Sequence, residues 1–305
     1  MPELKSELSW SVSRAKMLRE CPRRYYYHYY QSWEGWKPDA PPDRKKAYQL
    51  KLMVNLDMLA GQVVHEVIRD MFMRDRETLT PVTSEQARKL ALTRMRDAWR
   101  ESRDRMWTRS PKRFTNLFEH YYDEEIPESR TDEIRDRVER CLANFFASDT
   151  LRSIRAAGAK CWLRVDELDF FEFAGVKVYA VPDFALRDGP VIHIYDWKTG
   201  KSDENVEDQL ACYTLFAVER WKVQPNRVIP SAVYLRDNYA EQIDVKEERL
   251  SRTKDHIRAS LSEMIRLLRS VEHNIPRDME AFSQTQRVAH CSRCFFKEFC
   301  APRPG

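Results

Sequence analysis

The chain has 305 residues, 42% of them hydrophobic and 33% charged, enough apolar material for the core of one large domain or two smaller ones. No apolar run approaches the ~18 residues of a membrane-spanning helix, the opening MPELKSELSW lacks a signal-peptide core, and seven glycines without a Walker A or GxGxxG pattern leave no glycine-loop nucleotide site. A soluble cytoplasmic protein is expected, and with a net charge of only +4 any nucleic-acid affinity must come from local patches.

Ser11 or Ser13 caps a first helix with apolar Ala15, Met17 and Leu18. It runs into Cys21-Pro22-Arg23-Arg24 and the tyrosines Tyr25, Tyr26, Tyr27, Tyr29 and Tyr30. Arginines interleaved with tyrosines can grip phosphates and stack on bases, but most of these rings are read as packing for the first helix. Trp33 to Arg44, with Pro38, Pro41 and Pro42, reads as a loop. Gly61 opens a helix in which Val64, Val67, Ile68 and Met71 recur at helical spacing, with His65 beside that stripe.

From Ser84 to Ser148 the chain reads as almost wholly helical. A basic stretch from Arg88 to Arg113 includes Arg94, Arg96, Arg100, Arg103, Arg109 and Lys112, and acid-rich residues 119–139 balance it. A charge run is usually a solvated face. Arginines at this density are also candidates for phosphate contacts, Arg96, Arg100 and Arg103 in particular.

At Cys161 the pattern switches to period two, through Trp162, Val165 and Leu168 to Phe170–Phe173 and the turn Ala174-Gly175. Val176 to Arg187 and Val191 to Lys198 then form a hairpin about Asp188-Gly189-Pro190. Residues two apart share a strand face, so Asp196 and Lys198 point together while Trp197 points away. Asp183 on the partner strand reaches the same face, and Pro182 predicts an unpaired or bulged step beside it. Two carboxylates beside an ammonium suit metal-assisted hydrolysis: the carboxylates hold a hard cation and the lysine orients water or offsets charge. Glu167 is a further candidate carboxylate.

A polar loop, Thr199-Gly200-Lys201, leads to a helix from about Val206 in which Gln209 and Tyr213 share a face. Val228–Leu235 and Ala240–Val245 read as strands, and Glu247–Val271 as a long helix. Cys291, Cys294 and Cys300 then fall within ten residues. Three thiolates leave a four-coordinate site incomplete. Cys21 completes it if the chain ends meet, whereas His28 or His290 would give a Cys3His zinc site. Cys141, Cys161 and Cys212 lie in apolar contexts and are read as core.

Cys21-Pro22, Gly61 to His65, Pro182-Asp183, Asp196-x-Lys198, Gln209 to Tyr213 and the terminal cysteines occur in an order that resembles the PD-(D/E)XK nuclease superfamily, specifically RecB-like iron–sulfur nucleases related to AddB and to CRISPR-associated exonucleases. The resemblance implies an α/β restriction-endonuclease-like fold. A mixed β-sheet is flanked by helices in one domain spanning 1–305, with a helical insertion at 84–148 and an iron–sulfur clasp joining 287–305 to Cys21. It implies Mg2+ or Mn2+ held by His65, Asp183, Asp196 and the Trp197 carbonyl, and Lys198 assisting the attacking water. By the same resemblance Gln209 and Tyr213 are expected to hold substrate, and Cys21, Cys291, Cys294 and Cys300 to ligate a 4Fe–4S cluster. The implied activity is a metal-dependent DNA exonuclease in repair, recombination or defence, acting on single-stranded DNA or free ends beside a separate helicase or CRISPR adaptation partner. The competing reading is a non-cleaving DNA-binding or adaptor module, which has no need of intact Asp183, Asp196 and Lys198.

Overall fold

A short β1 (Ser9–Trp10) precedes the first helix, and the period-two region becomes β2 (Trp162–Val165), β3 (Phe170–Phe173), β4 (Val176–Tyr179), β5 (Phe184–Asp188), β6 (Val191–Lys198), β7 (Val228–Tyr234) and β8 (Tyr239–Gln242). The computed structural model describes residues 6–78, 80–200 and 206–300. The polar loop expected from Lys201 onward lies outside the described residues. A mixed five-stranded sheet runs in the order β2-β5-β6-β7-β8, with β6 and β7 parallel and the other neighbours antiparallel. A second sheet, β1-β4-β3, includes the hairpin turned by Ala174 and Gly175, both at positive φ as a tight two-residue turn requires.

The run Val176–Arg187 is therefore not one strand. It is divided between the two sheets, and Pro182, which has no N–H to give a ladder, falls in the gap between Tyr179 and Phe184.

Helices cover both faces of the large sheet. On one face Ile192 and Ile194 meet Leu18, Leu210, Phe216 and Ile257 from helices Val12–Glu20, Val206–Trp221 and Glu247–Arg266. On the other, Phe184, Trp197 and Val233 meet Val64, Ile68, Ala91, Leu142 and Phe145 from helices Leu56–Thr78, Ser84–Arg103 and Glu128–Ala147. The alternation along β6 decides this: Ile194 and Asp196 face one layer, Tyr195 and Trp197 the other.

Several boundaries differ from the sequence reading. A helix, Pro42–Lys51, starts inside the expected loop because Pro42 suits a first helical position. The histidine helix begins at Leu56 rather than Gly61. The Asn55 side chain accepts from Met58 N at 2.8 Å and Glu119 from Leu56 N at 3.1 Å, satisfying its first amides. The 84–148 stretch is interrupted after Arg103, where Arg105 adopts a left-handed conformation; one helical turn forms at Phe118–Tyr121 and long helix resumes at Glu128. The strand expected to reach Val245 stops at Gln242, and the last long helix stops at Arg266 before a short hairpin of Leu268–Ser270 with Ile275–Pro276. Of the three cysteines read as core, Cys141 and Cys212 are buried, whereas Cys161 is only half-buried. Among the described residues no helix is long and apolar enough to cross a membrane.

Candidate active site

The tight hairpin brings the two carboxylates together. Asp188 faces Val191 across the turn and Phe184 faces Tyr195 at the end of the ladder, so the next step along the same register sets Asp183 opposite Asp196. Asp183 is held there at both oxygens. Oδ2 accepts from the Trp197 backbone N–H at 2.7 Å, and Oδ1 lies 2.9 Å from Nδ1 of His65. His65 reaches it from the Leu56–Thr78 helix. One turn earlier on the same helix face, Gly61 packs close to the loop: a Cβ there would lie 3.1 Å from Thr199 Oγ1, a tight contact to which the threonine would have to yield. The G-x-x-x-H spacing thus lets the helix approach the loop after Lys198.

Asp196 and Lys198 share a face as the period-two rule requires, with the ammonium 2.5 Å from Asp196 Oδ2. From Lys198 the polar contacts run through the helix behind the sheet. Lys198 donates to Gln209 Oε1 at 2.6 Å, and Gln209 Nε2 donates to the Tyr213 hydroxyl at 2.8 Å. The one proton of that hydroxyl has two acceptors, the Val181 carbonyl at 3.0 Å and Asp196 Oδ1 at 3.2 Å. Tyr213 is 6% exposed, so its hydroxyl is committed to holding Asp196 and Gln209.

Burial and mutual charge set the electrostatics. Burial pulls the His65 imidazole down, but the Asp183 carboxylate beside it, with Asp196 behind, reverses this and holds it up at about 9. Burial and the Asp183 charge push Asp196 above the ordinary carboxylate range, against the pull of Lys198. Burial, then the charges of Asp196 and Asp183, keep the Tyr213 phenol protonated well past its usual range.

The donor set fits a hard divalent cation. Asp196 Oδ2 is buried and faces the Lys198 ammonium at 2.5 Å. Two carboxylates and an imidazole on one face are the oxygen-rich set such a cation takes. Among the described residues no three His, Cys, Asp or Glu side chains converge on one metal point, either at the carboxylates or at the cysteines.

Glu167 is exposed beyond the end of β2. The carboxylate at that corner belongs instead to Asp166, whose backbone turns left-handed at φ 45° and whose N–H donates to the Asp183 carbonyl at 3.0 Å. Burial and the Asp183 charge push Asp166 up, and Arg69 lies 3.5 Å away. A non-glycine left-handed residue at a strand end leaves no mark in the sequence pattern.

The basic stretch divides. Arg94 is engaged by Asp70 at 2.5 Å and Glu66 at 3.6 Å, and Arg88 by Glu85 and Glu139. Arg96, Arg100 and Arg103 line a groove of about 840 Å³ against the Glu128–Ala147 helix, floored by Leu92, Met95 and Trp99. His65, Asp183, Asp196 and Lys198 are not among the described residues that line it.

The segments that carry Cys21 and the three late cysteines do meet. Cys21, Cys291, Cys294 and Cys300 line one cavity of about 380 Å³, together with His290. His28 instead packs against Tyr29 and Phe296. Burial pushes the Cys294 thiol up to about 11, against the pull of the Phe296 amide and Arg24. The tyrosine run packs as expected: Tyr25, Tyr27 and Tyr30 are buried, and the Tyr27 hydroxyl donates to the Phe299 carbonyl at 3.1 Å.

No curated protein matches the chain. The profile of the PD-(D/E)XK nuclease superfamily matches residues 9–301, which span the Cys21 turn, the His65 helix and the Asp183–Lys198 hairpin. With that match extending over nearly its whole length, the chain belongs to the PD-(D/E)XK nuclease superfamily, whose members are in general metal-dependent nucleases.

Proposed function

We propose that the chain is a RecB-like, Mg2+- or Mn2+-dependent deoxyribonuclease that hydrolyses DNA phosphodiester bonds from free ends, in repair, recombination or defence. The observation that carries this reading is the polar cluster of His65, Asp183, Asp196 and Lys198, with two carboxylates and an ammonium gathered at the end of one hairpin. Asp183, Asp196 and His65 would hold the cation. The Trp197 carbonyl shares the strand edge of its own N–H, which points at Asp183, and so is available as a further ligand. A bound divalent ion supplies Lewis-acid stabilisation of the phosphoryl charge and a more acidic water.

The remaining roles belong to the chain itself. Lys198, steered by Gln209 and Asp196, orients the attacking water and offsets charge developing on the phosphate. Gln209 and Tyr213 act as positioning residues for Lys198 and Asp196. Arg96, Arg100 and Arg103 contact DNA phosphates outside the cluster. His65 must give up its proton to serve as a ligand.

The same reading makes 1–305 one nuclease domain, with 84–148 as a helical insertion, working in the cytoplasm beside a separate unwinding or CRISPR adaptation partner. It assigns a 4Fe–4S cluster to Cys21, Cys291, Cys294 and Cys300. Their shared cavity supports this assignment.

The test is cleavage of end-labelled single- and double-stranded DNA with Mg2+, Mn2+ or EDTA. Asp196→Ala and Lys198→Ala should each abolish metal-dependent cleavage while DNA affinity survives, because affinity rests on other phosphate contacts. Cleavage by purified Asp196→Ala at the wild-type rate sinks the assignment. Wild-type protein that binds DNA but cuts with neither metal supports the adaptor reading instead.

A further inference from the structure

Away from the carboxylate cluster, residues 33–38 fold against the Pro42–Lys51 helix and the 108–112 segment to form a cleft of about 630 Å³. Its wall is aromatic. Trp33 and Trp36 meet edge to face at 5.1 Å between ring centroids, and Trp36 meets Tyr48 at 5.7 Å. Trp36 is 39% exposed, an unusual position for so large an apolar ring. Gly35 makes the wall possible. A Cβ there would lie 2.3 Å from the Arg44 carbonyl and 2.5 Å from Tyr48 Cβ, so only glycine lets the indoles close on the helix.

The rim is cationic. Lys37, Lys45, Arg109 and Lys112 line the cleft, and none of its thirteen described lining residues is acidic. Lys37 pairs with Glu34, and Lys45 donates to the Pro38 carbonyl. Arg109 and Lys112 are exposed and form no ion pair among the described residues. Unpaired cations beside an unneeded aromatic surface call for a ligand carrying both negative charge and flat apolar faces.

We propose that this cleft is a binding subsite for single-stranded DNA, in which bases stack on Trp36 with Trp33 and Tyr48 behind it, and Arg109 and Lys112 take the phosphates. A duplex keeps its bases stacked on one another and offers only its backbone, so the aromatic wall selects for single strands. The short link from this helix leads into the helix that carries His65, which begins at Leu56, and His65 lies about 14 Å along it at 1.5 Å per residue. The inference rests on the nuclease reading for its biological sense, but its test does not depend on cleavage.

The experiment measures binding of a fluorescein-labelled 20-nucleotide single strand, and of the matching duplex, to the full chain in EDTA. Trp36→Ala should weaken single-strand binding roughly 5- to 100-fold, the range for removing one base–aromatic stack. Trp36→Phe should restore most of it, and both should leave the duplex unchanged. Arg109→Glu with Lys112→Glu, both on the surface, should weaken single-strand binding and flatten its salt dependence, and they decide the matter if Trp36→Ala does not fold. Unchanged single-strand affinity in these variants overturns the subsite. An equal loss for duplex and single strand overturns the selectivity, and a wild-type chain that binds neither overturns the proposal outright. Protein that binds as expected yet never cuts DNA with any metal leaves the subsite standing and refutes only the nuclease reading.

Discussion

Tyr213→Phe tests whether the buried polar ring behind the carboxylates matters. The substitution keeps the aromatic packing of a 6% exposed residue and removes one oxygen. That oxygen accepts from Gln209 Nε2 at 2.8 Å and donates to Asp196 Oδ1 or the Val181 carbonyl, at 3.2 and 3.0 Å. A hydrogen bond to a charged group contributes ~1.5–3 kcal/mol, and a buried partner left unsatisfied costs ~1–3 kcal/mol. These overlap rather than add, so a net loss of ~2–4 kcal/mol is expected. At ~2 °C per kcal/mol for a chain of this size, Tm should fall by about 4–8 °C. Activity should fall further than stability requires. Gln209 loses its anchor and Lys198 loses the partner that steers it, a defect of the kind that costs about 10–100-fold when an outer partner of a metal site is removed. Single-turnover cleavage at 15 °C below the variant's own Tm separates the two effects, because the folded fraction is then essentially complete. A Tyr213→Phe chain with wild-type Tm and wild-type single-turnover rate would refute the positioning role of the Lys198–Gln209–Tyr213 chain of hydrogen bonds.

Three further outcomes follow from other parts of the molecule. Charge reversal at Arg96, Arg100 and Arg103 should weaken DNA binding and lower the log–log salt slope by about 0.7–0.9 for each phosphate no longer neutralised, with the melting curve preserved; an unchanged slope returns this groove to a solvated face. His65 is raised from 6.5 to about 9 in the folded chain, so its contribution to stability is fully present below pH 6.5 and is lost as pH rises through 9. In EDTA, the Tm difference between wild type and His65→Gln should shrink across that window, while Mn2+ affinity of the wild type, read by calorimetry, should rise across it; a pH-independent difference contradicts the His65–Asp183 pairing. Protein purified without air should be brown and contain iron and sulfide, with Cys21→Ala bleaching it and lowering Tm as much as Cys294→Ala, and Cys141→Ala leaving the colour unchanged. Colourless protein with one bound zinc removes the iron–sulfur cluster, and a brown Cys21→Ala chain makes His290, which lines the cavity, the better fourth ligand than His28, which packs elsewhere.

Much of the site was legible because its geometry is local. Two-residue periodicity puts Asp196 and Lys198 on one face, and a tight turn at Asp188–Val191 forces Asp183 into register opposite Asp196 without any long-range information. Helical spacing likewise gives the Gln209–Tyr213 contact. What periodicity could not supply is whatever depends on a distant partner. Asn55 and Glu119 start the histidine helix five residues before its apolar stripe suggests, and Glu119 comes from more than sixty residues away. Arg94 looks like its neighbours in the basic stretch, yet one turn of helix packing turns it onto Glu66 and Asp70 and removes it from any substrate.

The choice between Asp166 and Glu167 marks the limit most sharply. The sequence reading places Glu167 on the strand before the hairpin, where in an unbroken strand it would lie two residues beyond Val165 and share its face. The ladder stops at Val165, however, and the left-handed turn at Asp166 rotates the chain so that its amide meets the Asp183 carbonyl and its carboxylate feels the Asp183 charge. Strain of this kind is stored where surrounding contacts over-determine it, and here the contact is with the residue that anchors the site. The arrangement therefore ties the end of β2 to Asp183, just as Gly61 ties the histidine helix to Thr199. The approach at Gly61 is carried by the G-x-x-x-H spacing, whereas neither pattern nor composition encodes the turn at Asp166.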